Sequence, residues 1–579
     1  MYKMQQTLLA LLACLCSTAL FAQLNVNVKI DGVNKLLEDN VRLFLSIEQQ
    51  KDHALMSMAR LRRLHKKAPD DIANALQPFG YYRPLIDSAL TQTSSDNWQA
   101  IYTINPGPAM HIAEFNLVIS EEMQKDPAFQ TLIRNFKMRN GVVFNHLEYE
   151  NIKASLAKLA AERGYFSARF IEHRVEIDLK AYEARVHLNY DGGTRSKFGE
   201  VLLNQDVLDP ELLQRYVPFE IGSPYTVNEL IDLQQAFNDS DYFRTVEVSP
   251  GQPQADSAEI PVTVFLTPRK RHRYSLGLGY GTDTGARAKF GWEIPRLNRR
   301  GHRFNIETKV SEIGFSVSAH YHVPVLNPRT DQMVYSAGIV NEKTESSEST
   351  VQTIGASLNR SRGFWRESMS INYQREDFVV ADDHGVSRLL MPGVNWSRTW
   401  GRDFIYTLDG LRFDIGLRGA NKVLVSDANF LQAQGGLKGI SPLGRHNRLI
   451  ARGRLGGTWT ETFHELPSSV RFFAGGAQSV RGYTYQSLGP VDANGKVVGG
   501  KYLMIGSIEF EHSFNGNWGA AIFYDGGNAI DNIADTLERG AGFGVRWKSP
   551  IGPVRFDLAS ALTSNGRPWR LHINIGPDL

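Results

Sequence analysis

The chain has 579 residues, with 64 Lys+Arg against 61 Asp+Glu and a formal charge of +3. That balance argues against the basic footprint of a nucleic-acid binder, so no nucleic acid is expected as a partner. Hydrophobic residues make up 42% and mean hydropathy is −0.29, which excludes both a disordered chain and a bundle of membrane helices. At roughly 150 residues per domain, the length predicts about four domains.

Residues 1–22 read as a secretory signal peptide. Lys3 gives a thin positive region, Leu8 to Cys16 a short apolar stretch, and Ser17 and Ala19, or Ala22, a cleavage site. The run Leu11-Leu12-Ala13-Cys14 has the look of a lipoprotein box, but cleavage there leaves too short an apolar stretch. Both cysteines, Cys14 and Cys16, lie in this segment. Its removal leaves a chain without disulfide or thiolate chemistry. Past residue 22 no run of 18 apolar residues predicts a membrane helix.

Residues 23–268 carry a repeat. Gly80-Tyr81-Tyr82, Gly164-Tyr165-Phe166 and Asp241-Tyr242-Phe243 recur 84 and then 77 residues apart. Each follows an amphipathic helical pattern: Ile72, Ala75 and Leu76; Ile152, Leu156 and Leu159; Leu230, Leu233 and Phe237. Alternating strands come next, clearest at Ala184, Val186, Leu188 and Tyr190 and at Ile260, Val262, Val264 and Leu266. Gly141-Val-Val-Phe144 and Gly222-Ser-Pro-Tyr225 open the second helix of units two and three. The spacing predicts three small α/β units, at 23–109, 110–195 and 196–268. They serve either as spacers or as peptide-docking modules with exposed sheet edges.

From residue 269 to the end, alternation replaces the helical pattern. Sixteen strands are predicted, starting near residues 273, 287, 302, 315, 333, 350, 366, 388, 411, 428, 446, 502, 518, 541, 553 and 569. An even count suits a bacterial outer-membrane barrel. In the first strand Tyr274, Leu276, Leu278 and Tyr280 alternate with Ser275, Gly277, Gly279 and Gly281. The last sets Trp569, Leu571, Ile573 and Ile575 against Arg570, His572, Asn574 and Gly576. The second face is too small or too polar to pack a core, so the apolar face is assigned to lipid. Links from even to odd strands carry turn residues, as at Asn327-Pro328-Arg329 and Asn515-Gly516-Asn517, and belong on the periplasmic side. Links after odd strands are expected to be mostly longer or more variable. The longest spans roughly residues 459–501.

That loop contains Arg471-Phe-Phe-Ala-Gly-Gly-Ala-Gln-Ser-Val-Arg-Gly-Tyr483. Its apolar residues make sense if it folds back into the lumen. Arg481 then leaves water and needs carboxylates. Strand parity turns Glu509 and Asp525 inward, because Ile508, Phe510, Ile522 and Tyr524 face lipid. Two readings stay open at this level: charge-assisted bonds from Arg481 to Glu509 and Asp525, or an exposed arginine beside ordinary lumen carboxylates.

The order Val480-Arg481-Gly482-Tyr483, Ser507-Ile508-Glu509-Phe510, Phe523-Tyr524-Asp525-Gly526-Gly527 resembles the outer-membrane protein assembly superfamily. The Gly-Tyr-Phe repeats resemble its polypeptide-transport-associated (POTRA) domains, and the turn Leu297-Asn298-Arg299-Arg300-Gly301 is similar to that family's. Three modules before a sixteen-stranded antiparallel barrel look most like the TamA-type members. The resemblance implies that Arg481 is the loop-motif arginine, with Glu509 and Asp525 as its barrel-wall partners. It implies a seam between first and last strands that opens sideways onto client outer-membrane proteins and autotransporters. It also implies a TamB-like periplasmic partner. Gly277, Gly279 and Gly281 either weaken such a seam on one side or simply clear room for the inward loop. On the other side, Ile573 lies on the closing strand, and Gly576-Pro577 shortens it because Pro577 has no ladder N–H. The ending Pro577-Asp578-Leu579 departs from the aromatic residue usual for these barrels.

No enzyme motif survives. His464-Glu465 lacks a second zinc-protease histidine, Gly495-Lys496 lacks a phosphate-loop frame, and the 15 histidines are scattered without metal-ligand spacing. No metal or cofactor is expected. The run Arg269-Lys270-Arg271-His272-Arg273 is expected to meet anionic headgroups of outer-membrane lipid, with a periplasmic partner as the alternative.

Overall fold

The computed structural model describes residues 24–53, 56–253, 258–401, 406–514, 516–549 and 552–575. The signal segment with Cys14 and Cys16 lies outside them, as do Gly576 and Pro577. By contact the chain divides into two compact units. One comprises residues 1–200, 219–230 and 250–261, the other 201–218, 231–249 and 262–579.

The N-terminal region holds three three-stranded sheets, each mixing strands with helices. The first combines β1 (Asn25–Asp31), β2 (Leu85–Gln92) and β3 (Asn97–Asn105) in the order β1-β3-β2. The second combines β4 (His111–Ile119), β5 (Arg169–Asp178) and β6 (Glu183–Asp191) in the order β4-β6-β5. The third combines β7 (Lys197–Asn204), β8 (Phe243–Pro250) and β9 (Glu259–Pro268) in the order β7-β9-β8. In the first two sheets the central strand runs parallel to the first edge and antiparallel to the second. The amphipathic stripes face these sheets: Ile72, Ala75 and Leu76 join Ala100, Tyr102 and Ile104 in one core, and Ile152 and Leu156 join Ala184, Val186 and Leu188 in another.

The repeated aromatic motif is a helix stop and a joint at once. Gly80, Gly164 and Asp241 all take positive φ, of 87°, 84° and 64°, which ends each helix in the left-handed region. The carbonyls of Gly80 and Gly164 then accept from the first residues of the following modules, Met110 and Ser196, at 2.9 Å each. In the third repeat an aspartate fills the glycine position, and its carboxylate is used. Arg269 Nε lies 3.3 Å from Asp241 Oδ1, and Arg273 pairs with Oδ2. His272 Nδ1 accepts from Trp292 Nε1 at 3.2 Å, so three of the five basic residues expected at lipid headgroups are engaged within the protein.

The C-terminal region is one sixteen-stranded sheet in sequence order. Its strands are β10 (Arg273–Gly281), β11 (Gly285–Ile294), β12 (Arg303–Ser311), β13 (Gly314–Pro324), β14 (Asp331–Lys343), β15 (Ser347–Arg362), β16 (Trp365–Val380) and β17 (Asp383–Gly401). They continue with β18 (Gly410–Ala420), β19 (Phe430–Leu443), β20 (Asn447–Trp459), β21 (Tyr502–Ser513), β22 (Trp518–Ile530), β23 (Glu538–Ser549), β24 (Gly552–Ala561) and β25 (Trp569–Ile575). Neighbours pair antiparallel throughout. The predicted starts fall within five residues of those observed, with the largest error at β17.

One expectation about the links fails. Those after β10, β12, β14 and β16 span only residues 282–284, 312–313, 344–346 and 381–382. Hairpins of up to 19 residues per strand extend the alternation until a tight turn closes them, so the length asymmetry is confined to the later strands. The turn Leu297-Asn298-Arg299-Arg300-Gly301 also has a structural task. Tyr242 donates its hydroxyl proton to the Gly301 carbonyl, and Asp209 N–H donates to the Arg299 carbonyl at 2.8 Å.

Candidate functional site

The 42-residue connection between β20 and β21 (residues 460–501) folds against the inner wall of the sheet. Val480 and Arg481 are buried, Arg481 at 4% exposure. Burial removes a guanidinium from water, a cost of several kcal/mol unless every N–H finds an acceptor. Here the acceptors are in place. Nε donates to Asp525 Oδ2 at 2.7 Å and Nη2 to Asp525 Oδ1 at 2.9 Å, a two-pronged pair. Nη1 donates to Glu509 Oε2 at 2.7 Å and to Asp557 Oδ2 at 3.1 Å. The guanidinium carbon also lies 3.4 Å from the centroid of the Phe523 ring.

Strand alternation delivers these groups. On β21 Ile508 and Phe510 are exposed outward while Glu509 is buried; on β22 Ile522 and Tyr524 are exposed while Asp525 is fully buried. The same parity on β23 and β24, read from Val545 and Trp547 and from Phe556 and Leu558, turns Arg546 and Asp557 inward. Arg546 bridges the wall, to Glu509 at 2.6 Å, Glu511 at 2.8 Å and Asp557 at 2.6 Å. Arg448 pairs with Glu511, and Arg452 lies 3.9 Å from Asp525. Four carboxylates thus face four guanidiniums. Sequence reasoning missed Arg448, Arg452, Glu511, Arg546 and Asp557, although parity alone would have found Glu511, Arg546 and Asp557.

Gly482 has φ +99°, and a Cβ there would sit 2.8 Å from the Ala561 nitrogen. Glycine lets the loop backbone lie against the wall at β24. Its N–H donates to His572 Nε2 on β25 at 3.0 Å. The Tyr483 hydroxyl donates to Glu538 Oε2 at 2.8 Å.

The loop has a second anchor with no sequence signal. Glu376 on β16 is fully buried and accepts from Ser468 Oγ at 2.6 Å and from the Ser469 N–H at 3.2 Å. Gln432 Nε2 donates to the Val470 carbonyl at 2.7 Å, and Arg418 Nη2 to the Ser469 carbonyl at 3.0 Å. The chain before Arg471 is therefore held on the middle strands, and the chain after Val480 on the closing strands.

The seam residues lie at the two ends of the sheet. Among the described residues no ladder joins β10 to β25. The ends meet instead through Thr282 N–H to the Ile573 carbonyl at 3.4 Å and Ile573 N–H to Thr282 Oγ1 at 3.3 Å. Leu278 on β10 is 81% exposed. The glycines differ in their surroundings. At Gly277 a Cβ would make ordinary contact, 3.7 Å from Lys289 Cβ, whereas at Gly279 it would meet Arg287 Nε at 2.9 Å. Arg287 crosses that bare backbone and donates to the Ile575 carbonyl at 3.3 Å. Gly281 lies beside Ile573, 3.7 Å from a built Cβ to its carbonyl oxygen.

An antiparallel sixteen-stranded barrel, filled by its own arginine-anchored loop and preceded by small α/β modules, defines a class of membrane barrels. Residues 296–578 match the Omp85 superfamily domain, and residues 27–106 match the model for POTRA domain TamA domain 1. The barrel region is thus an Omp85 superfamily domain, with a TamA-type POTRA domain ahead of it. The chain is 29% identical over 154 residues to the outer membrane protein assembly factor BamA of Nitratidesulfovibrio vulgaris, covering 25% of this chain and 19% of that one. It is 21% identical over 541 residues to BamA of Neorickettsia risticii, covering 85% of this chain and 69% of that one. The crystal structure of Haemophilus ducreyi BamA lacking POTRA domains 1–3 shares the fold, with a TM-score of 0.66, 16% identity, and coverage of 81% and 99%.

Proposed function

We propose that this chain is an outer-membrane assembly factor of the TamA kind, with its N-terminal modules in the periplasm of a Gram-negative bacterium. In this reading residues 23–109, 110–195 and 196–268 are three POTRA domains, and the barrel assists insertion or translocation of barrel proteins and autotransporters. The protein is not an enzyme. The work comes from the folding free energy of the client, whose strands pair with the edge of β10 as the seam opens. A TamB-like periplasmic protein is the partner.

The observation that carries this reading is the seam: two end strands meeting at a few hydrogen bonds, beside a loop fixed to the closing strands. An unpaired strand edge is a template for another chain. The TamA-type first module supports the finer assignment. A passive channel is the competing reading, and the loop packed into the lumen argues against it. Transport of lipid along the partner is a further alternative.

Photo-crosslinking residues placed at positions 274, 276, 278 and 280 in growing cells test the proposal. Adducts to unfolded outer-membrane proteins support it. Adducts to a periplasmic protein alone make the seam a partner-docking site, and an absence of adducts supports the channel.

A further inference from the structure

The loop touches both sides of the seam: Arg570 on the last strand donates to Thr484 Oγ1 at 2.7 Å, and two further residues accept main-chain N–H groups of the loop. On the side of the first strand, Asp283 in the turn after β10 accepts the Ala477 N–H on Oδ2 at 2.8 Å. On the side of the last strand, His572 accepts the Gly482 N–H on Nε2 at 3.0 Å. A ring nitrogen that accepts from an amide carries no proton, so in the neutral imidazole the proton is assigned to Nδ1. Among the described residues Nδ1 is buried without a hydrogen-bond partner, and it lies 3.9 Å from Asp283 Oδ1 across the seam, an electrostatic contact beyond hydrogen-bond reach.

These contacts form a circuit. It runs from loop Ala477 to Asp283 on the first hairpin, across to His572 on the last strand, and back to loop Gly482. Nothing comparable is needed within a continuous ladder, where main-chain bonds hold neighbours. At this seam the ladder is absent among the described residues, and the circuit lies where the ladder would be. The loop end of the circuit is rigid, because the next residue back from Gly482 is Arg481, held by Asp525 and Glu509.

We propose that Asp283 and His572 are the positioning residues of a clasp by which the inward loop holds the first and last strands together, setting how readily the seam opens. The inference rests on the reading that the seam opens at all. Releasing Asp283 detaches the first hairpin from the loop, leaves the loop on the closing strands through Arg481, and leaves the Thr282–Ile573 and Arg287–Ile575 bonds to hold the seam. Releasing His572 removes the contact of β25 to Gly482. Either change loosens the seam without touching the Arg481 anchor.

Spin labels at Leu278→Cys and Leu571→Cys, both outward-facing, report the separation of the two strands in the full chain in lipid. The distance distribution is compared for the parent, Asp283→Ala, His572→Phe and the near-isosteric Asp283→Asn, with heat-modifiability on gels showing that each barrel is folded. A severalfold rise in the long-distance population in Asp283→Ala and His572→Phe, with a smaller rise in Asp283→Asn, is expected. Unchanged distributions in folded variants would overturn the clasp if the parent opens when unfolded client is added. A parent that never opens, with client or without, would overturn the seam reading itself. If the alanine and phenylalanine variants fail to fold, Asp283→Asn decides by the same comparison.

Discussion

Arg481 and Asp525 meet at three points: Nε to Oδ2 at 2.7 Å, Nη2 to Oδ1 at 2.9 Å, and the Arg481 main-chain N–H to Oδ2 at 3.1 Å. One carboxylate therefore fixes both the side chain and the backbone of the loop. The contact is in the interior, with Asp525 fully buried. Removing either partner strands a charge, which costs about 3–5 kcal/mol in such settings. Arg481→Ala and Asp525→Ala are expected to lower the denaturant midpoint of the barrel, followed by loss of heat-modifiability. Arg481→Lys should rescue little, since one ammonium cannot fork to Asp525 and still reach Glu509. A lysine variant with parental stability contradicts this.

Gly482→Ala tests the backbone independently of charge. Its left-handed φ and the 2.8 Å approach to Ala561 leave no room for a methyl group. The expected result is a loop displaced from β24, seen as new protease cleavage within residues 476–486 while the barrel stays heat-modifiable. Full protection of that segment would contradict it.

Glu376 anchors the other half of the loop. Glu376→Ala leaves the Ser468 and Ser469 donors without their acceptor, and Glu376→Gln keeps an acceptor but loses the charge. Hydrogen exchange in residues 463–475 should accelerate strongly in the alanine variant and modestly in the glutamine variant. Exchange at residues 480–484 should change little, because Arg481 holds them separately. Equal acceleration in both segments would show the two anchors to be one unit.

Much of the barrel and its inner site is legible from period-two alternation. Ile508 and Phe510, or Ile522 and Tyr524, bracket a charged residue that lipid cannot accept, so Glu509 and Asp525 must point inward. Arg546 and Asp557 obey the same rule, but they lie outside the loop-motif pattern that directed attention to the other two. Glu376 is different. Its neighbours Arg375 and Asp377 are both polar, so alternation gives no face, and its partners are 92 and 93 residues away in the loop. Alternation places His572 on the inward face between Leu571 and Ile573, but its role, like that of Asp283, depends on how the sheet closes. The three-unit repeat is legible through its helix stops, and Asp241 shows why one glycine is replaced: its carboxylate meets Arg269 and Arg273.

In the first module, His65 Nδ1 lies 3.0 Å from the Tyr102 hydroxyl, at the edge of the core. Burial pushes the His65 pKa below its ordinary value. The unfolded chain then binds a proton that the folded module disfavours. Stability is expected to fall as pH drops through the ordinary histidine range, and to level off once the folded imidazole also protonates. Histidine-edited NMR of the full chain should place the His65 midpoint below that of a free imidazole. A midpoint at or above it contradicts the expectation.

The proposed function requires the seam to open. Thr282 and Ile573 exchange hydrogen bonds there, at 3.4 Å and 3.3 Å, so a Thr282→Cys, Ile573→Cys pair can lock it by a disulfide. The measurement is insertion of a newly made outer-membrane protein into vesicles carrying the locked barrel, before and after reductant. The locked form is expected to stall the client, and reduction to restore insertion. Undiminished insertion through a fully oxidised seam would contradict it.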